Sequence, residues 1–374
     1  MSKIFVSGDF GYRGRTQESI RRGEGITLFA PLIDTIAYSD LAIVNFESPV
    51  GTPAYFIPKC GPSLCSEKEA IKTLKEVGFS LITLANNHFY DCGEYGVNAT
   101  LNACREYSVD TVGGGVDIHS ATEPYVKILN DEKLVIINAC ETEFSIASDS
   151  SGGAAPLDII GISQQILKYK DDSKVIVIIH GGHEFYQLPS VRMQKLYRFF
   201  IELGAYSVIN HHQHCYSGYE LYLGRPIFYG LGNFLFDSAS NKRDSLWNYG
   251  YAVLLDTENI SEFTIIPYVQ SNESAGIRLM DSNEILDFTK KIHDLCVIIN
   301  DPNSLKIEES QFFSKLGLIS VLNPFYNGLT SKLYSKKWFP SFITKKHRLY
   351  QLHYLQCESH RDALLYNLKK TLKL

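Results

Sequence analysis

Three histidines, His211, His212 and His214, fall within four positions of the segment VINHHQHCYSG, directly after an apolar run. In extended or loop backbone, residues i and i+2 share a face. That spacing turns His212 and His214 toward one site and His211 elsewhere. Polar, metal-competent residues recur at the ends of other apolar runs: Asp9; Asn45 and Glu47; Asn86, Asn87, His88 and Asp91; His180 and Glu184. Carboxylates, imidazoles and an amide carbonyl together suit hard to borderline divalent cations rather than iron–sulfur clusters or copper(I). Two such cations sharing a carboxylate make a site suited to in-line attack at phosphorus. Each residue alone has a plainer reading. A strand-end Asp is a common turn residue, Asn86-Asn87 reads as a turn pair, and His180 reads as a satisfied core histidine. Their recurrence at successive strand ends is what argues for a site.

The elements that must position these residues are legible as runs. KIFVSGD (3–9), DLAIVNFE (40–47), FSLITLANNH (79–88), KLVIINAC (133–140) and KVIVIIHGGHE (174–184) read as strands. They are nearly continuous in Val, Ile and Leu, which belongs in a sheet covered on both faces. Residues 66–78 read as a helix with a Ser66/Glu69 capping box and a Gly78 stop. Residues 94–107 and 191–204 also read as helical. Strand–helix alternation makes the chain α/β, and in such sheets ligands bind where strands end. The pattern changes after about residue 272. SNESAG (271–276) reads as a linker or loop, with the chain divided there into 1–270 and a helical, basic extension at 271–374.

The segments GDF, VNFESP, LANNHFYDCG, HGGHEF and NHHQHCYSGYELYLGRPIFYGLGNFLFD run in order through residues 3–240. Together they resemble the successive motifs of the CapA family of capsule and poly-γ-glutamate synthesis proteins. That family's fold is similar to the calcineurin-like metallophosphoesterase fold, a β-sandwich flanked by helices. The resemblance implies two divalent metal ions, of manganese, zinc or iron. Asp9 would hold the first and Glu47 would bridge both. Asn87, His180 and His212 would complete the second, and His214 would return to the first. His88 would stand beside a substrate phosphate as general acid or oxyanion stabiliser, oriented by Asp91. Asn45 and Glu184 would brace a ligand or touch substrate. The chain departs from the pattern at Gly11 (His in metallophosphoesterases), Glu47 (Asp), Gly181 (Trp), Tyr206 (Asp), Asn210 (Gly) and Gln213 (Pro). The function implied is bacterial surface-polymer biosynthesis, with hydrolysis of a phosphoester or phosphodiester by metal-acidified water on a phosphorylated or anionic polymer or saccharide. A non-catalytic component of a capsule or poly-γ-glutamate synthesis or export complex is the alternative. Amide-bond chemistry on a γ-glutamyl polymer is a third; it would need basic groups near the site, for which Arg13, Arg15, Arg21 and Arg22 are candidates.

A net charge of −5 argues against a nucleic-acid partner. The charge is uneven, because from Lys332 onward ten Lys or Arg stand against two acids. With Trp338, Phe339 and Phe342, this tail is a candidate for peripheral contact with anionic lipid. Leu349, Leu352, Leu355, Ala363, Leu364, Leu368 and Leu372 instead fit amphipathic helices packing on the main domain, with Lys369, Lys370 and Lys373 outward. No leader or membrane-spanning run is visible, which leads us to expect a cytoplasmic protein. The eight cysteines read as reduced, with Cys60 and Cys65 a weak candidate for a clip or metal pair. GGG at 113–115 reads as a tight turn.

Overall fold

The computed structural model describes residues 2–238, 244–316 and 344–372. Two sheets carry the architecture. The eight-stranded sheet contains β1 (Lys3–Gly11), β2 (Leu41–Phe46), β3 (Leu81–Thr83), β4 (Asp110–Val112), β13 (Asn233–Phe236), β14 (Tyr249–Asp256), β15 (Thr264–Gln270) and β16 (Ile277–Leu279). The six-stranded sheet contains β6 (Tyr125–Leu129), β7 (Glu132–Cys140), β9 (Lys174–His180), β10 (Ser207–His211), β11 (Tyr219–Tyr222) and β12 (Arg225–Phe228). β5 (Gly114–Gly115) and β8 (Gly153–Ala154) form a small separate ladder. The strands bearing the candidate residues are parallel neighbours: β1 with β2 and β2 with β3 in one sheet, β7 with β9 and β9 with β10 in the other.

Alternation along the strands explains the continuous apolar runs. Ile4 and Val6 of β1 share one buried cluster with Ile136, Ile176, Ile178 and Ile209 of the opposite sheet. Phe5 faces the other way, into a cluster with Ile71 and Leu74 of the helix Glu69–Val77. Val175 and Val177 likewise turn outward to Tyr197 and Phe200 of the helix Val191–Leu203. The result is a β-sandwich with helices on both outer faces, the expected fold class. Each buried Ile or Phe contributes about 1.5–3 kcal/mol of apolar transfer, so both faces of every central strand hold the layers together.

Local readings need some corrections. Ser66 does not cap the helix at 69–77, which begins after Lys68. Its hydroxyl donates to the Ser48 carbonyl instead, tying the loop to the end of β2. Gly78 does end the helix, in the left-handed region at φ 116°. Residues 271–276 connect β15 to β16, so the sheet continues to Leu279 before helices Ser282–Asn300 and Pro302–Leu316. Those helices pack on the sandwich, Phe288 and Ile292 in the intersheet cluster and Leu305 on the outer face. In the last helices, Lys345–Gln356 and Glu358–Leu372, Leu352 and Leu355 are exposed. The buried positions are His353, Cys357, Ser359, Ala363, Leu364 and Asn367. The first of these helices thus presents a polar face to the body of the protein, for reasons found at the site. Lys332, Trp338, Phe339, Phe342 and Lys373 lie outside the described residues.

The extension docks through a buried ion pair. Arg192 pairs with Glu141, which is 4% exposed, and its Nε donates to Asp362 Oδ2 at 2.5 Å. Glu358 accepts from the Thr142 amide at 2.8 Å, and the Ser359 amide donates to Glu141 at 3.3 Å. Burial alone would raise the Glu141 carboxyl, but the Arg192 guanidinium and Ser359 hold it down at about 2. A depressed acid adds stability that is complete above its ordinary value of 4.5 and is lost as pH falls toward 2. Arg192→Ala leaves that carboxylate buried without its cation, at a cost of about 3 kcal/mol. The expected result is a lower urea midpoint at pH 7 and faster proteolysis within 344–372, with the deficit shrinking below pH 4.5.

Candidate functional site

The parallel pairing of β1 and β2 puts Asp9 opposite Asn45, and Glu47 follows at the end of β2. The Asn45 amide donates to Asp9 Oδ1 at 2.7 Å and lies 3.3 Å from Glu47 Oε1. From the other sheet, His180 ends β9 with its Nε2 3.5 Å from Glu47 Oε1 and 3.1 Å from Asn87 Oδ1. Ligand atoms of Asp9, Glu47 and His180 all lie within 4.8 Å of one another, and all three residues are buried. His212 Nδ1 approaches His180 Nε2 at 3.0 Å, and the His212 amide donates to Asp9 Oδ2 at 3.1 Å.

His214 completes the group. Asn233 fixes its own amide by donating to the carbonyls of His214 and Trp247. Its Oδ1 therefore accepts from His214 Nδ1 at 2.9 Å, which sets the tautomer and leaves a lone pair on Nε2. That Nε2 is 3.9 Å from Glu47 Oε2. Glu47 Oε2 is buried with no hydrogen-bond partner. A buried carboxyl oxygen without a partner, with the His214 Nε2 lone pair on one side, is costly unless a proton or a cation sits beside it. The residues present therefore fit a divalent metal, and the buried Asp–Glu–His cluster could hold one. Burial, Asp9 and Glu184 raise the Glu47 carboxyl well above the carboxylate range. Burial and the neighbouring imidazoles keep His180 well below its ordinary value, and burial puts His212 at about 4. Both are neutral at pH 7, the form that ligates.

His212 and His214 do share the site, though not through an extended chain. β10 ends at His211, and both residues sit at positive φ, 90° and 54°. For non-glycine residues this is strained backbone of the kind found at binding sites. His211 is buried, its ring held by the Ser7 carbonyl at 3.1 Å. Asn210 donates to the carbonyls of Gly181, His211 and Tyr229 and accepts from Tyr197 at 2.7 Å. It binds three strand ends together beneath the histidines. Gln213 donates to the carbonyls of Tyr186 and Leu188. Gly11 is also explained, because a Cβ there would lie 2.4 Å from the Phe236 ring. Phe236 and Trp247 instead pack on His214.

His88 and Asp91 stand beside the cluster. His88 Nδ1 donates to Asp91 Oδ2 at 2.7 Å, leaving Nε2 for the adjoining cavity. Lys59, which the sequence reading missed, is buried and paired with Asp91, with its Nζ 3.3 Å from the Asn87 carbonyl. A lone Lys in a Pro- and Gly-rich loop carries no sequence signal. The cavity is about 640 Å³ and takes in Asn87, His88, Glu184 and His212. Glu184 is exposed at this cavity. The sequence reading also passed over Glu143, His353 and His360, which line the far side. Three of the four arginines after β1 are committed elsewhere, Arg15 to Asp237 and loop carbonyls, Arg21 to Glu67 and Arg22 to Glu24, while Arg13 is exposed at the N-cap of the helix Gly14–Arg21. All eight cysteines are free, and the tight-turn reading of GGG is corrected: Gly113 bends the chain at φ 83°, but Gly114–Gly115 form β5, paired antiparallel with β8.

Against known proteins, residues 3–238 match the family model described as bacterial capsule synthesis protein PGA_cap. The chain is 29% identical over 240 residues to the capsule biosynthesis protein CapA of Bacillus anthracis, covering 62% of this chain and 58% of that one. It is 30% identical over 253 residues to the PGA biosynthesis protein CapA of Bacillus subtilis (strain 168), covering 66% of each. A probable polyglutamine synthesis accessory protein of Mycobacterium tuberculosis is 24% identical over 219 residues, covering 53% of this chain and 56% of that one. The chain therefore spans less than two thirds of the length of each of these relatives.

Two outcomes test the geometry. Asn210→Ala strands buried carbonyls and the Tyr197 hydroxyl, and is expected to cost about 3 kcal/mol in urea unfolding. Burial raises the Glu143 carboxyl from 4.5 to about 8. The folded state then holds a proton that the unfolded chain has released, so this group's stability contribution is full below pH 4.5 and is lost as pH rises through 8. Glu143→Gln should flatten that fall, gaining on wild type at pH 8 and not at pH 4.

Proposed function

Because the chain belongs to the PGA_cap family of bacterial capsule synthesis proteins, we propose that it is a divalent-metal-dependent hydrolase of a phosphoester or phosphodiester in surface-polymer synthesis. The observation that carries this reading is the buried Glu47 carboxyl, whose Oε1 lies 3.5 Å from His180 Nε2 and whose unpartnered Oε2 lies 3.9 Å from His214 Nε2, with Asp9 Oδ2 3.9 Å from the same His214 ring. Asp9, Glu47, Asn87, His180, His212 and His214 would hold the cations, manganese, zinc or iron. When bound, such ions supply Lewis acidity and an acidified water. The protein's own residues do the rest. Asn45 orients Asp9 and Glu47 by sharing its amide between them. Asp91 fixes the His88 ring, so that proton movement to the departing oxygen takes place at Nε2. Lys59 adds positive charge where an anionic ester would gather it.

One observation favours a second reading, a non-catalytic role in a capsule or poly-γ-glutamate synthesis or export complex. Phe236 fills the space at Gly11, and His214 is flanked by Phe236 and Trp247, so the Asp9–His214 side is partly apolar. A metal bound there weakly or not at all would leave a scaffold rather than a catalyst.

Metal content by mass spectrometry separates the two. Wild type is expected to hold about two equivalents after reconstitution, with losses in His212→Ala and Glu47→Ala. His88→Gln should keep its metal and lower kcat on a phosphodiester by about 10²- to 10⁴-fold. A wild-type protein that binds no manganese, zinc or iron would sink the hydrolase reading.

A further inference from the structure

The turn that carries His88 and Asp91 is held by a loop that returns to it at three points. The Ile57 amide donates to the Asp91 carbonyl at 2.9 Å, Lys59 pairs with the Asp91 carboxylate, and the Leu64 amide donates to Asp91 Oδ2 at 2.7 Å. Cys65 follows Leu64, and Cys92 follows Asp91. The two cysteines thus flank residues already in contact, and their thiols share a hydrogen bond. Cys92 Sγ lies 4.0 Å from the Leu64 carbonyl and 3.8 Å from the Thr52 carbonyl. It packs over Gly51, where a Cβ would lie 2.6 Å from that sulfur, and the Gly51 amide donates to the Ser66 carbonyl at 2.9 Å. The chain on both sides of Cys65 is therefore fixed beside Cys92. The sequence suggests Cys60 as the partner of Cys65, but Cys60 lines the cavity with Lys59 instead.

The two thiols differ as a stepwise thiol–disulfide exchange requires. Cys65 is partly exposed, whereas Cys92 is 1% exposed. The hydrogen bond with Cys92 lowers the Cys65 thiol below its ordinary value. The same contact, followed by burial, raises the Cys92 thiol. The reachable sulfur is the readier thiolate, and the enclosed one is placed to resolve what forms on it.

We propose that Cys65 and Cys92 are a redox-active dithiol, closed to a disulfide by a low-molecular-weight disulfide such as oxidised glutathione. The Cys65 thiolate attacks one sulfur of the oxidant, forming a mixed disulfide and releasing one small thiol. Cys92 then gives up its proton and attacks Cys65 Sγ, releasing the second. The protein loses two electrons and two protons, and the oxidant becomes two thiols. The new bond closes a ring from residue 65 to residue 92 and clamps the loop that carries Lys59 against Asp91. The pair stands whether or not the neighbouring cluster is catalytic.

The test is non-reducing peptide mapping by mass spectrometry of the full chain after native exposure to oxidised glutathione. Wild type is expected to show a Cys65–Cys92 link that dithiothreitol reverses, and Cys60→Ser should keep it. Cys92→Ser should instead retain one glutathione on Cys65, and Cys65→Ser should leave Cys92 unmodified. Trypsin should cut oxidised wild type after Lys59 at least about tenfold more slowly than reduced wild type, a difference that Cys65→Ser abolishes. If Cys92→Ser does not fold, the wild-type map and Cys65→Ser decide. A Cys60–Cys65 link, or a glutathione that stays on wild-type Cys65 without a link to Cys92, overturns the dithiol. So does a Cys65–Cys92 link that forms only after denaturation. A native link that leaves the Lys59 cleavage rate unchanged overturns the clamp.

Discussion

Two carboxylates, Asp9 and Glu47, are buried side by side at the ends of paired parallel strands, and most of the surrounding structure answers to that constraint. Like charges in a water-poor interior repel strongly, and neither can be solvated. The Asn45 amide is shared between them, and three imidazoles close the shell. None of these groups is a permanent cation. The arrangement is balanced by a proton on Glu47, whose carboxyl sits well above the usual carboxylate range, or by a cation among the ligand atoms, and Glu47 Oε2 has no other partner. Holding the imidazoles in place requires strained backbone at His212 and His214. The Asn210 and Asn233 hydrogen bonds stabilise that strain from below and behind.

A second buried carboxylate, Glu141, links the candidate site to the C-terminal helices. It follows β7 and is reached by Arg192 from one helix and by the Ser359 amide from another. A Cβ on Gly181 would lie 2.7 Å from the Glu141 Cγ. The glycine that stands where the related pattern has tryptophan is thus the space that Glu141 occupies. The motif departure and the docked extension are one structural feature seen from two places in the chain. It also explains why the helix at 345–356 turns His353 inward and Leu352 and Leu355 outward. The surface it meets is the polar wall of a cavity, where Glu143 and Phe144 offer an imidazole more than they offer a leucine.

The metal-competent residues were legible because each closes an apolar run, and parallel strands with buried faces bring their ends to one edge. Asp9, Glu47, His180, His212 and His214 needed no more than that. Lys59 was not legible, because its role depends on a loop folding back onto Asp91 from 32 positions away. The Ser66 capping box failed for a related reason, since a long-range bond to the Ser48 carbonyl displaced the local one. The alternation argument reached the right pair of histidines by the wrong geometry: the chain leaves β10 at His211 and turns through positive φ.

The sequence by itself thus determined the α/β alternation and the metal-competent residue types, because these depend on period, burial and residue chemistry over short spans; the β-sandwich class followed from the resemblance to a known family. Only the tertiary structure decided which carboxylate oxygen is left without a partner, which histidine nitrogen keeps its lone pair, and that residues beyond 300 wall the cavity. Those outcomes depend on contacts between segments far apart in the chain. No local pattern encodes the angle at which Asn233 meets His214 or the face that His353 presents.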